Sequence, residues 1–201
     1  LKRIEEGLAL LTTDSKALEA FLFMNRAMWL QRTHSIYSER VRRGEQPDFD
    51  RDIDEPKNRS WRPFQIAFIL LNLPGVTKLD HPDRDVGPEA LADLLFFPTG
   101  GGKTEAYLGL SAFTILLRRL HDPGNAGTTV LMRYTLRLLT TQQFQRAASL
   151  ICALEYLRRE QEPVLGSTPI TIGLWVGGEV TPNRDSTGHN NAVKALSDLQ
   201  S

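Results

Sequence analysis

The chain has little cysteine, no excess charge of either sign and no long apolar run, and each shortage removes a class of protein. Cys152 is the single cysteine, so no internal disulfide can form. That fits a reducing cytosol, and the residue is expected at a buried helix position rather than as a reactive thiol. The dispersed histidines His34, His81, His121 and His189 give no metal-ligand spacing, and no zinc site is expected. Lysine plus arginine equals aspartate plus glutamate at 24 each, so no global field recruits nucleic acid and any such contact must come from a local patch. No apolar run approaches the roughly 18 residues of a membrane helix, and Leu1-Lys2-Arg3 does not open a secretory signal. The expectation is a cytoplasmic protein with no membrane partner. An initiator methionine is also missing, and the chain ends inside a recognisable pattern, which points to a piece of something larger. Its 201 residues suffice for one well-buried domain with a small appendage.

What is present begins with helical periodicity. Ile4 to Leu11 and Ala17 to Arg32 carry apolar residues at helical spacing, with Asp14 and Ser15 available as caps for the second. So apolar a helix is expected to lie under other elements of this chain. Residues 40–59 are densely charged and punctuated by proline and glycine, and read as a surface loop. Its alternating Asp48, Asp50, Asp52 and Asp54 do not make a calcium loop, since Ile53 and Arg59 occupy the places of the required glycine and glutamate. Trp61-Arg62-Pro63-Phe64-Gln65 opens a further apolar helix that Pro74-Gly75 should end.

The strongest signal is Phe96-Phe97-Pro98-Thr99-Gly100-Gly101-Gly102-Lys103-Thr104-Glu105, which reads as a phosphate-binding loop. Glycines let backbone N–H groups reach phosphate oxygens with no Cβ in the way. The helix that follows offers its positive end to the same anion. Lys103 supplies a charge for the β- and γ-phosphates, and the Thr104 hydroxyl a ligand for Mg²⁺. The expected ligands are therefore ATP and Mg²⁺, held by Pro98, Thr99, Gly100, Gly101, Gly102, Lys103, Thr104 and Glu105. Around the loop the pattern reads strand (92–97), helix (103–119), strand (128–133), helix (136–159), strand (170–176) and a short helix after Asn190. Repeated βαβ units with apolar strands predict an α/β fold of the P-loop NTPase kind, with a parallel sheet covered on both faces.

Two further stretches narrow the expectation. Gln65, upstream of the loop, resembles the adenine-reading glutamine of superfamily 2 helicases; an amide both donates and accepts, as the adenine edge demands. Thr135-Leu136-Arg137-Leu138-Leu139-Thr140-Thr141-Gln142 is similar to motif Ia of the same helicases, matching at Arg137, Leu139 and Gln142 and departing at Thr135 and Leu136. Gly177-Gly178 resembles the glycine pair of motif Ib. More narrowly, FFPTGGGKTEAYLGL and VLMRYTLRLLTTQQFQRA look like the helicase subunits of DISARM anti-phage systems. The resemblance implies the first part of a RecA-like lobe over residues 61–201, preceded by a helical accessory region and charged loop over 1–60. It implies DNA held by Thr135, Arg137, Thr140, Gln142, Gly177 and Gly178, and a partner subunit in a defence complex.

No Asp-Glu-x-His or Asp-Glu-Ala-Asp follows the third expected strand, and no second lobe with arginine fingers is present. This stretch alone should bind nucleotide without turning it over. Rival readings are a small-molecule kinase and a nucleotide-responsive interaction module. A dinucleotide-binding Rossmann unit fails because Glu105 stands where the third glycine belongs.

Overall fold

The computed structural model describes residues 1–84, 91–98, 100–133, 137–175 and 197, with the side chains of 137–141 left aside. Their regular elements are helices: α1 (Lys2–Thr13), α2 (Ser15–Arg42), α3 (Pro63–Thr77), α4 (Lys103–His121), α5 (Arg137–Glu160) and the short α6 (Glu162–Leu165). A π-helical turn at Phe49–Ile53 and a 3-10 turn at Pro56–Asn58 give shape to the charged connection between α2 and α3.

Local chemistry accounts for the helix starts. Asp14 ends α1, its N–H bonding Leu10 O, and caps α2, its carboxylate accepting from Ala17 N at 2.9 Å, a cap of about 1 kcal/mol. Arg62 precedes Pro63 at the first position of α3, where the missing N–H costs nothing. The Gln65 side chain turns back to accept from Arg62 N at 2.8 Å, half of a capping box. Instead of ending at Pro74, α3 runs on to Thr77. Proline cannot bond the Leu70 carbonyl one turn earlier, and Gly7 of α1 lies against that carbonyl. A Cβ at Gly7 would stand 2.1 Å from Leu70 O, so only glycine lets the two backbones meet there.

The buried helix expected over 17–32 is α2, the long central element packed on α1, α4 and α5. Ala17, Ala20, Met24 and Ala27 are all fully buried, a stripe of mostly small side chains that admits close neighbours. One core joins them to Ile69 and Leu73 of α3, Leu108, Phe113 and Leu116 of α4, and Leu150, Leu154 and Leu157 of α5. Cys152, expected inside, is exposed on α5.

The parallel sheet is not found. Among the described residues there is no strand, and 92–97, 128–133 and 170–175 carry no ladder of backbone hydrogen bonds. The expected α/β fold, a RecA-like parallel sheet, is therefore overturned by an all-helical arrangement. The physical reason lies in where these segments' polar groups go. Arg118 donates to Thr128 O at 3.0 Å, Arg119 to Pro169 O at 3.2 Å, and Glu155 accepts from Ile170 N at 3.0 Å. Helix side chains thus hold them singly, without a neighbouring strand. Sheet burial on both faces is also absent, with Leu94 86%, Phe96 90%, Leu131 85% and Trp175 76% exposed.

Candidate functional site: a glycine loop at the head of α4

The glycine loop takes the form its composition requires. Gly100 has φ +80° and Gly102, the N-cap of α4, has φ +88°, both in the left-handed region that only glycine enters cheaply. Gly101 N donates to Pro98 O at 3.1 Å, closing a tight turn. A Cβ at Gly101 would meet Pro98 O at 2.9 Å, and one at Gly102 would meet Gln65 Nε2 at 2.7 Å. At Gly100 none of the described residues comes within 4 Å of that position, so a ligand can approach the backbone from this side. α4 then presents its first N–H groups and its dipole to the same space, with 19 residues of helix behind them.

Two residues of α3 grip the loop and, with it, line the neighbouring cavity. Arg62 Nη1 donates to Gly101 O at 2.7 Å, and Gln65 Nε2 donates to Gly102 O at 2.7 Å. Gln65 is buried and bonded at both ends of its amide, so its local work is to fix the loop on the start of α3. Phe64 stacks on Phe97 at 3.9 Å between ring centroids, pinning the approach to the loop on the same helix. Further back, Arg3 of α1 makes a two-bond fork to Asp93 at 2.6 and 2.7 Å. This pairing holds the Asp93 carboxyl below its ordinary pKa, the Arg3 hydrogen bonds being the main cause. Asp93 is thereby engaged away from the loop.

Lys103, first residue of α4, bonds the Phe97 carbonyl with its ammonium, and Thr104 follows it in the first turn. Glu105 pairs with Arg146 of α5 through one carboxylate oxygen, while the other is buried without a hydrogen-bond partner among the described residues. Ammonium, hydroxyl, glycine backbone and helix N-terminus thus meet within one turn. Their chemistry fits a phosphate chain and a hard cation.

Of the residues expected at this site, Gln65, Pro98, Gly100, Gly101, Gly102, Lys103, Thr104 and Glu105 lie together, and Thr99 falls outside the described residues. Of the expected DNA contacts, Thr135, Gly177 and Gly178 also lie outside them. Arg137 and Thr140 stand in the first turn of α5, and Gln142 is exposed on the same helix. Sequence reasoning missed Arg62 as a loop clamp. A usable signal was there: a glutamine three residues after an N-cap that precedes proline marks a helix start with a reaching side chain.

The N-terminal region walls a cavity that reaches the loop at Gly100 and Gly102. Asn25, Trp29 and Arg32 of α2 and Lys57 to Trp61 of the connection face Gly100, Gly102 and Glu105 across a cavity of about 320 Å³, within the range of small-molecule sites.

No family model matches the chain. It is 44% identical over 192 residues to the DISARM protein DrmA of Bacillus paralicheniformis, an alignment that takes in 92% of this chain and 16% of that protein. The chain therefore spans about a sixth of the length of the curated relative it matches.

Proposed function

We propose that this chain is the ATP-binding part of a DNA helicase or translocase of the superfamily 2 kind, serving DISARM anti-phage defence in the cytoplasm beside a partner subunit. The observation that carries the reading is the glycine loop at the head of α4, with two left-handed glycines, an open face at Gly100, and Lys103 and Thr104 in the following turn. The similarity to DrmA supports the defence setting.

In this reading the N–H groups of the loop and of the first turn of α4 cradle the phosphates. Lys103 exchanges the Phe97 carbonyl for a phosphate oxygen, and Thr104 offers its hydroxyl to Mg²⁺. Arg62 and Gln65 keep the loop carbonyls turned away from the anion by bonding Gly101 O and Gly102 O. The start of α5, with Arg137, Thr140 and Gln142, together with Thr135, Gly177 and Gly178, serves the DNA backbone, whose contacts position without reading sequence.

The test is Lys103→Ala in the full-length protein. A charge-assisted contact to phosphate contributes roughly 1.5 to 3 kcal/mol, so ATP-Mg²⁺ affinity should fall by about one to two orders of magnitude, and DNA-stimulated hydrolysis should go with it. Unchanged affinity in a titration calorimeter would remove the assignment.

A further inference from the structure

Gln65 is engaged at both ends of its amide, which leaves open what meets the base of a nucleotide seated on the loop. The cleft facing the loop has the parts for it. Trp29 and Trp61 line it with their indole N–H groups already used, on Asp54 at 2.8 Å and Asn25 at 2.7 Å. Those bonds fix the rings and leave apolar surface against which a flat base can lie. Gln31, on α2, lines the same cleft and is only 7% exposed. Its Nε2 donates to Ser35 Oγ at 3.3 Å, whereas its carbonyl oxygen has no hydrogen-bond partner among the described residues. That oxygen is not among the side-chain atoms sealed from solvent, so it is open to accept from a donor that enters the cleft. Beside it Arg32 forms no ion pair or hydrogen bond among the described residues. Arg59 and Lys57, by contrast, are matched with Asp54 and Glu55.

We infer that α2 and the 57–61 turn form the base-side wall of the nucleotide pocket, and that Gln31 selects a base bearing an amino group rather than a carbonyl at its six-position, with Arg32 supplying charge to the phosphates. Adenine presents an amino donor where guanine presents a carbonyl acceptor, so an accepting oxygen favours ATP over GTP. The inference rests on the ATP-binding reading above but adds a wall and a selecting residue from a region otherwise assigned an accessory role.

The experiment titrates the full-length protein, with Mg²⁺ present, against ATP, GTP and inorganic tripolyphosphate. Wild type should bind ATP more tightly than GTP or tripolyphosphate. Gln31→Leu should cut the preference for ATP over GTP by about tenfold, the worth of one lost hydrogen bond, with tripolyphosphate affinity unchanged. Because Gln31 is nearly buried, Arg32→Gln provides an exposed second variant, expected to weaken ATP and GTP alike by several-fold and leave their ratio intact. An unchanged ATP preference in folded Gln31→Leu overturns the inference, and so does full ATP affinity in Arg32→Gln. Equal binding of ATP and tripolyphosphate by wild type also overturns it while leaving the phosphate loop standing. Failure of wild type to bind any of the three overturns the ATP-binding reading itself.

Discussion

Gly102 meets two demands at one position. Its φ of +88° disfavours any side chain, and Gln65 Nε2 occupies the space 2.7 Å from where a Cβ would stand. Gly102→Ala should therefore cost about 1 to 2 kcal/mol of stability from the left-handed backbone. It should also weaken ATP-Mg²⁺ binding at least tenfold, because the displaced amide releases the Gly102 carbonyl; denaturant unfolding and calorimetry read the two effects, and wild-type values for both would sink the clamp argument. Glu155 gives a second residue-scale expectation. Arg158 bonds it at 2.7 and 2.8 Å, with further help from Arg159 and the Ile170 N–H. Those bonds, Arg158 first, hold its carboxyl at a pKa of about 2 against an ordinary 4.5. Since the folded value is the lower one, the stabilisation is complete above about pH 4.5 and is lost as the pH falls from there toward 2. Glu155→Gln should flatten the pH dependence of the melting temperature in that window alone. Asp52, also held at about 2 by its bond from Arg51, titrates equally in both proteins and cancels from the difference. Parallel curves for variant and wild type would remove Glu155 from the account.

Among the elements, α1 and α3 are joined at a point where a backbone defect in one meets a missing side chain in the other. Pro74 leaves the Leu70 carbonyl without its helical donor, and Gly7 brings an α-carbon against it, a geometry suited to a weak C–H···O contact. With Leu70 O only 2.1 Å from the position of an added Cβ, Gly7→Ala must push α1 off α3. The expected cost is about 2 kcal/mol or more, a fall of roughly 4 to 8 °C in melting temperature for a chain of this size. An unaltered melting temperature would mean that α1 is not seated as described. This contact was not legible in the sequence, where Pro74-Gly75 reads as a helix stop, because the compensation comes from a residue far away along the chain. The five long helices were legible, since the spacing of Leu10, Met24, Leu73, Leu116 or Leu154 on their helices is a local property. Strands are another matter. An apolar stretch such as 128–133 shows only that a strand would be tolerated, whereas the ladder partner must be supplied from elsewhere; Arg118 bonds Thr128 O there, and Arg119 and Glu155 bond Pro169 O and Ile170 N at the start of the last expected strand. The glycine loop was legible for a similar local reason. Its grip by Arg62 and its facing wall from α2 were not, because both depend on packing between segments distant in sequence.

At the scale of the whole molecule, residues 1–60 share the one core described above with α3, α4 and α5. Leu10, Met24 and Met28 are at least nine-tenths buried there, and Ala17, Ala20 and Ala27 completely so. Burying one large apolar side chain is worth about 1.5 to 3 kcal/mol. Removing α1 and α2 forfeits several of these at once and also uncovers the facing sides of Phe113, Leu116 and Leu154. Against a typical total stability of about 5 to 15 kcal/mol, such a loss leaves no folded state. The loop would lose its other supports in the same stroke, since Arg3 ties α1 to Asp93 and Asn25 orients Trp61 beside α4. A chain of residues 61–201 is therefore expected to show no cooperative urea transition by circular dichroism and no ATP-Mg²⁺ binding, while the 201-residue chain unfolds in one sigmoidal step. A sigmoidal transition from 61–201 with nucleotide binding retained would mean that α1 and α2 decorate the loop-bearing body without being part of its core.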